Sequence, residues 1–120
     1  MPFPYSDLSG KKVRPVLVVS NNQFNAHSQD LIVCCVTSNI SKDSNISKEF
    51  HNVMLPKKEV SEGKLFEDCC VKVENIAKIE KALIIKKIGR VSKSIFSQVS
   101  EKLQRLVSSE NTLNNKLLLF

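Results

Sequence analysis

Two polar side chains lie where apolar, strand-like segments of this sequence begin and end. Arg14 precedes the apolar residues 15–19, and Thr37 follows the apolar residues 31–36. A guanidinium offers paired donors that match the oxygens of a phosphate, and a hydroxyl at a neighbouring strand end could meet the same phosphate. These residues predict a site that binds phosphate and stabilises negative charge. The alternative is a surface arginine and a threonine bonded to the backbone.

The composition describes one basic, folded domain spanning residues 1–120. Of the 120 residues, 18 are lysine or arginine and 12 are aspartate or glutamate, which gives a net charge of +6 and a pI near 9.3. Hydrophobic residues make up 42% of the chain, as in ordinary globular domains. The charge favours a polyanion or an acidic protein as partner, although many basic domains are merely soluble.

The cysteines form two adjacent pairs, Cys34-Cys35 and Cys69-Cys70. Neighbouring residues of a strand point to opposite faces, so neither pair has the geometry of a zinc knuckle. We therefore expect reduced cysteines that act as small hydrophobic residues, and no metal or cofactor. The sequence shows no signal peptide and no membrane-spanning apolar stretch, which predicts a cytoplasmic protein.

Hydrophobic patterning predicts a mainly β protein with one amphipathic helix at its C-terminal end. Apolar or alternating segments predict strands at residues 13–20, 31–38, 50–55 and 69–73, and a strand or strand-turn at 82–91. Residues 94–107 then carry apolar side chains at helical spacing, with Ser92 as the expected N-cap. Short strands followed by one helix suggest a strongly bent sheet or barrel with the helix packed on it.

Three stretches resemble the MazF/PemK toxins of type II toxin–antitoxin systems. They are PFPYSDLSGKKVRPVLVVSN at residues 2–21, DLIVCCVTSN at 30–39 and VKVENIAKIEKALIIKKIGRVS at 71–92. The stretches cover most of the chain and follow one another in the order of the family. Family members usually carry Gly-Asp and further strand residues ahead of the Pro-Phe-Pro segment, so the resemblance implies a shortened N-terminal strand here.

The resemblance also implies a fold and an activity. The fold would be a mainly β, SH3-like β-barrel with one C-terminal amphipathic helix, assembled as a homodimer. The activity would be metal-independent cleavage of single-stranded RNA, in which the 2′-hydroxyl attacks the neighbouring phosphate to leave a 2′,3′-cyclic phosphate and a 5′-hydroxyl. A cognate antitoxin protein would neutralise the enzyme.

Matching the family motifs residue by residue gives the expected site. Arg14 and Thr37 would be the catalytic residues. Residues expected to contact the RNA are Lys11, Lys12, Ser38, Asn39, Glu74, Asn75 and Lys78. Glu74 and Asn75 are expected at a strand end. Neither His27 nor His51 matches a catalytic position of the family, which makes a histidine-pair mechanism the weaker alternative.

Two other functions remain open on the same barrel. One is a non-catalytic toxin similar to the CcdB gyrase poisons, which act through C-terminal residues and have no need of Arg14 with Thr37. The other is an inactive remnant or a plain RNA-binding module, which would bind RNA in a salt-sensitive way without cutting it.

Overall fold

The computed structural model describes residues 14–38, 51–107, 116, 117 and 119. Three of the residues expected to contact RNA, Lys11, Lys12 and Asn39, lie outside the described residues. The predicted shortening of the N-terminal strand concerns residues that are likewise outside these ranges.

Within these ranges the chain forms six strands, two α-helices and two 3₁₀ turns. In chain order they are β1 (Val16–Val18), α1 (Asn22–His27), β2 (Asp30–Thr37), β3 (Asn52–Leu55), a 3₁₀ turn (Lys57–Glu59), β4 (Val60–Ser61), β5 (Cys69–Glu80), a 3₁₀ turn (Lys81–Leu83), β6 (Arg90–Val91) and α2 (Lys93–Leu106). None of the helices in the described part of the chain has the length and apolar character needed to cross a membrane.

Four strands form one curled antiparallel sheet in the order β1-β2-β5-β3. Strands β4 and β6 pair in a second, two-stranded sheet. The long strand β5 lies at the centre and pairs with β2 on one side and β3 on the other. Thr37, the last residue of β2, pairs with Cys70, the second residue of β5.

The main core lies between one face of the four-stranded sheet and α2. This core face carries alternate residues of β2, β3 and β5, and α2 packs Ile95 and Val99 against it. The buried members of the cluster are Cys34, Val36, Val53, Leu55, Cys69, Val71, Val73, Ile95 and Val99. Burial of these side chains removes apolar surface from water, which is the main force that holds the helix on the sheet.

Helix α2 begins where the sequence predicts. The hydroxyl of Ser92 accepts a hydrogen bond from the backbone N–H of Ile95 at 3.2 Å, which satisfies one of the free donors of the first turn. Asn21 caps α1 in the same way, accepting from the N–H of Phe24 at 2.9 Å. Helix α1 was not predicted, because its six residues are too few to show helical periodicity.

The structure confirms the predicted mainly β fold with a C-terminal helix and adjusts several boundaries. The strand predicted at 13–20 is reduced to Val16–Val18, whereas the strand predicted at 69–73 continues to Glu80. The segment 82–91 forms a 3₁₀ turn and extended backbone, and pairs as a strand only at Arg90–Val91. Most of its apolar side chains are exposed, so their alternation did not reflect a buried face.

Candidate active site

Arg14 and Thr37 occupy facing positions on neighbouring chain segments. Strands β1 and β2 pair Val16 with Cys35, and the N–H of Val36 donates to the carbonyl of Pro15 at 3.2 Å. This antiparallel register, continued by one residue, places Arg14 opposite Thr37. Hydrogen-bonded and non-hydrogen-bonded pairs alternate along such a ladder, so Arg14 and Thr37 would form a non-hydrogen-bonded pair if the ladder extended to them, the kind in which side chains lie closer.

Both residues belong to the face of the sheet that points away from α2. Val16 and Cys35 share that face, because they pack in a second cluster with Leu31 and Val33. Since alternate residues of a strand share a face, Thr37 lies on it, and Arg14 lies on it too if the alternation of β1 extends two residues back. We call this surface the site face.

Strand β5 extends the site face beyond Thr37. Cys70 is the partner of Thr37, and Lys72 is the partner of Cys35. Opposite residues of an antiparallel pair lie on the same face, so Lys72 is a diagonal neighbour of Thr37. Arg14 is exposed, whereas Thr37 and Lys72 are partly buried. The site face therefore carries two cationic side chains on either side of one hydroxyl.

Glu74 and Asn75 lie at a β-bulge in the middle of β5, not at a strand end as the sequence suggested. On β2 the partners change from Cys35–Lys72 to Cys34–Ile76, so adjacent residues of β2 face residues four apart on β5. Bulges are frequent beside functional sites, because they redirect side chains that a regular ladder would hold to one face. The bulge could not be predicted from the sequence, because residues 69–80 show no break in their strand-like pattern.

The Glu74 carboxylate lies between an ammonium and an imidazole. Its Oε2 is 3.5 Å from Nζ of Lys72 and its Oε1 is 3.4 Å from Nε2 of His51. These side chains are 21–31% exposed, and Glu74 Oε1 itself is shielded from solvent. Sequence reading did not select Lys72 or His51. Lys72 could have been identified as the charged residue between Val71 and Val73. No sequence pattern predicts the contact of His51 with a distant strand.

The remaining residues predicted to contact RNA lie at different positions along β2 and β5. Ser38 is exposed and directly follows Thr37. Asn75 is half-buried within the bulge. Lys78 pairs with Ile32, beyond the bulge, and its Nζ lies 3.8 Å from Asp30. Thr37 and Ser38 thus lie where β2 pairs with the start of β5, Glu74 contacts Lys72 on β5, and Lys78 lies beyond the bulge.

Cys34 and Cys69, in the core between the sheet and α2, are held as neutral thiols. Burial, with smaller effects from Cys35 and the Glu74 carboxylate, raises the pKa of Cys34 to about 11. Burial and the neighbouring Glu67 and Asp68 raise the pKa of Cys69. All four cysteines are buried and free. A thiol that stays protonated is a poor nucleophile and a poor metal ligand. Within the described ranges, no three His, Cys, Asp or Glu residues are grouped so as to hold a metal ion.

The site face combines groups suited to a phosphodiester. A guanidinium can donate to two phosphate oxygens at once, and the ammonium of Lys72 adds a second positive charge. The Thr37 hydroxyl can donate or accept, and the Glu74 carboxylate can accept from a hydroxyl or from a base amino group. The arrangement can therefore bind a phosphate and also contact the sugar or base attached to it.

Comparison with known proteins supports this reading of the fold. A family model described as the PemK-like, MazF-like toxin of type II toxin–antitoxin systems matches residues 1–107. A search of curated protein sequences gave no match.

Several solved structures share the fold at low sequence identity. The Mycobacterium tuberculosis toxin MazF-mt6 is 17% identical, with a TM-score of 0.59 over 77% of this chain and 83% of that chain. An endoribonuclease from a mycobacterial species, in complex with its cognate antitoxin, is 19% identical, with a TM-score of 0.63 over 86% of this chain and 88% of that chain. Another mycobacterial endoribonuclease is 19% identical, with a TM-score of 0.61 over 83% and 85% of the two chains.

Proposed function

Because the chain belongs to the PemK-like, MazF-like toxins of type II toxin–antitoxin systems, we propose that it is a cytoplasmic endoribonuclease that cleaves single-stranded RNA. The observation that supports this proposal is the register of β1 and β2, which, continued by one residue, sets Arg14 opposite Thr37, with Lys72 diagonal to Thr37 on β5. Two of the structurally similar proteins are endoribonucleases.

RNA carries its own nucleophile next to the bond that breaks. The 2′-hydroxyl loses its proton, its oxygen forms a bond to phosphorus, and the bond from phosphorus to the 5′-oxygen breaks as that oxygen gains a proton. The products are a 2′,3′-cyclic phosphate and a 5′-hydroxyl, and no water or metal is consumed. The enzyme therefore contributes mainly by positioning the groups and by stabilising the negative charge that develops on the phosphate.

Four side chains have a role in the proposed reaction. Arg14 holds two non-bridging oxygens of the phosphate and stabilises their added charge, since a guanidinium stays protonated throughout. Thr37 donates its hydroxyl to the same phosphate. Lys72 adds positive charge, and Glu74 accepts a hydrogen bond from a hydroxyl or base of the RNA.

Further RNA contacts would extend outward from this centre. Ser38 and Asn75 border it, and Lys78 lies farther along β5, where it would meet a more distant nucleotide. Lys11, Lys12 and Asn39 complete the proposed contact set by their match to the family motifs.

The partners of this single domain follow from the family as well. We propose that it works as a homodimer and is neutralised by a cognate antitoxin. The net charge of +6 suits an acidic antitoxin segment that folds onto the toxin. One of the similar proteins was solved with its own antitoxin, which supports this partner class.

The first experiment tests the reaction itself. The purified chain should cleave an unstructured RNA in the presence of a metal chelator, and sequencing of the cut ends should find 2′,3′-cyclic phosphates and 5′-hydroxyls. A single 2′-deoxy nucleotide at the cleavage position should block the cut there. Cleavage of the deoxy linkage, or loss of activity with chelator, would contradict the proposed chemistry. Intact RNA together with retention of gyrase would favour the non-catalytic alternative.

The second experiment tests the residue that carries the proposal. Arg14→Ala should lower kcat about 100-fold or more, the usual result when one donor to transition-state charge is removed. Arg105→Ala is the matched control, because Arg105 is an exposed arginine on α2 that pairs with Glu101 at 3.4 Å. Equal activities of the two variants, with both proteins folded by circular dichroism, would remove Arg14 from the mechanism.

A further inference from the structure

His51 contacts the carboxylate that sits at the bulge of β5, although it lies 23 positions away in the sequence (74 − 51). It immediately precedes β3, and the N–H of Val73 donates to its carbonyl at 3.1 Å. This backbone bond fixes the start of β3 against the bulge. The imidazole Nε2 then lies 3.4 Å from Oε1 of Glu74.

The two oxygens of the Glu74 carboxylate have different surroundings. Oε1 is shielded from solvent and faces His51, whereas Oε2 is 3.5 Å from the ammonium of Lys72. Oε1 receives no hydrogen bond from the protein in this arrangement, which is costly for a shielded carboxylate oxygen, and a small movement of the imidazole would bring an N–H at Nε2 within reach of it. Contacts on both oxygens define the plane of the carboxylate, which a flexible glutamate side chain would otherwise not hold.

The geometry points to His51 as a positioning residue, which holds the Glu74 carboxylate in the orientation that receives the RNA. This inference rests on the proposed function, in which Glu74 accepts a hydrogen bond from the substrate. His51 itself does not touch the RNA in this role. Its contribution is to order a carboxylate that would otherwise sample several rotamers before each binding event, and such ordering costs free energy.

The role of His51 predicts a specific pattern in a double-mutant cycle. His51→Ala should lower kcat/KM on RNA about tenfold, mainly through a higher KM, because binding of the RNA loses one aligned acceptor. In a Glu74→Ala background the same substitution should change kcat/KM less than about twofold, since the carboxylate that His51 positions is gone.

Conservative variants separate positioning from general structure. The amide nitrogen of His51→Gln can occupy the place of the imidazole Nε2, so this variant should recover most of the activity. His51→Asn, whose amide is one carbon shorter, should not. His27→Ala is the matched control, because His27 is an exposed histidine on α1 whose Nδ1 lies 3.2 Å from the carbonyl of Gln23; it should retain wild-type kinetics.

The outcomes are distinguishable. If His51→Ala costs the same with and without Glu74, or costs nothing, the positioning role is overturned while the ribonuclease stands. If His51→Ala fails to fold, the Gln and Asn variants decide, and equal activities of these two would overturn the role. If the wild-type chain does not cut RNA at all, both the proposed function and this role of His51 are wrong.

Discussion

Arg14 and Lys72 both bring positive charge to the site face, but their side chains are not equivalent. The guanidinium of Arg14 presents a rigid fork that fits two phosphate oxygens, whereas the ammonium of Lys72 is a compact charge with rotatable donors. The ammonium of Lys72 also lies 3.5 Å from the Glu74 carboxylate, so its charge would be divided between this carboxylate and the RNA. In the proposed reaction we therefore expect Arg14 to stabilise the transition state and Lys72 to contribute mainly to binding.

The Cys34 thiol gives the stability of the fold a defined pH dependence. Its pKa rises from 9.0 to about 11 in the folded protein, chiefly because of burial. Above pH 9 the unfolded chain releases this proton and the folded chain keeps it, so the unfolded state binds fewer protons. This contribution to the free energy of unfolding is complete below pH 9 and is lost as the pH rises to about 11.

Urea denaturation at about pH 8 and about pH 10.5 measures this loss. The comparison is between the wild-type chain and Cys34→Ala, which lowers stability through the lost thiol but has nothing to ionise at this position. The variant should lose less stability between the two pH values. An identical decline in both proteins would show that Cys34 does not cause the pH dependence.

For individual residues, the sequence was enough to predict roles that depend on nearby residues. It was not enough to predict roles that depend on the pairing of distant strands. Ser92 could be predicted as an N-cap because a cap acts within three residues of itself. Thr37 was visible as the polar end of an apolar strand. The contact between His51 and Glu74 joins two segments whose register is set by the β3–β5 pairing, and no local pattern encodes it.

Among the secondary-structure elements, β5 does most to shape the site. It pairs with both neighbours, and its bulge separates two regular stretches. Cys70 and Lys72 lie on the site face before the bulge, and Ala77 and Ile79 lie on it after the bulge, so the extra residues shift the alternation of β5. Glu74 lies within the bulge, where it has no partner residue in the β2–β5 register.

Gly63 lets the loop between β4 and β5 approach the segment that leads into β6. A Cβ atom at this position would lie 1.8 Å from the carbonyl oxygen of Ile88, which is a backbone atom and cannot rotate away. The adjacent N–H of Lys64 donates to the same oxygen at 3.1 Å. Gly63→Ala should therefore lower the free energy of unfolding by about 1–3 kcal/mol, the usual cost of overpacking.

The control for this substitution is Lys64→Ala. Lys64 is exposed, and its backbone N–H remains available, so stability should change by less than about 0.5 kcal/mol. Urea denaturation of both variants gives the comparison. A Gly63→Ala protein as stable as the wild type would mean that the loop can move away from Ile88 at little cost.

The lengths of the elements were harder to predict than their order. Residues 82–91 have the composition of a strand, yet Ile84 and Ile85 are largely exposed. Their backbone joins the two sheets instead of entering either. Composition reports which residues could pair, but pairing needs a neighbouring strand in register, and that depends on the path of the whole chain.

On the scale of the whole molecule, the resemblance to a family conveyed more than periodicity did. Periodicity predicted short strands and one helix but did not choose among small barrels or bent sheets. The ordered similarity over three stretches selected the fold, and the family model confirms that selection over residues 1–107. The relative positions of Arg14 and Thr37 followed from that fold, because they come from segments that only the β1–β2 pairing brings together.

The net charge of +6 and the cations of the site face predict how RNA binding responds to salt. For single-stranded nucleic acid, the logarithm of the affinity falls with the logarithm of salt concentration with a slope of about −0.7 per phosphate contact. Four phosphate contacts would then weaken binding about 50-fold between about 50 and about 200 mM salt. A 2′-O-methyl oligonucleotide, which lacks the nucleophile, allows the wild-type enzyme to be titrated without cleavage.

The slopes of variants then distinguish residues that meet phosphate from those that meet other parts of the RNA. Arg14→Ala should reduce the magnitude of the slope by about 0.7, because one phosphate contact is lost. Glu74→Gln should weaken binding but leave the magnitude of the slope unchanged, since a carboxylate displaces no counterion from a phosphate. Arg105→Ala should leave it unchanged, because Arg105 lies on α2, which packs against the opposite face of the sheet. Equal reductions for Arg14→Ala and Arg105→Ala would mean that the RNA responds to the overall charge of the protein and not to the site face.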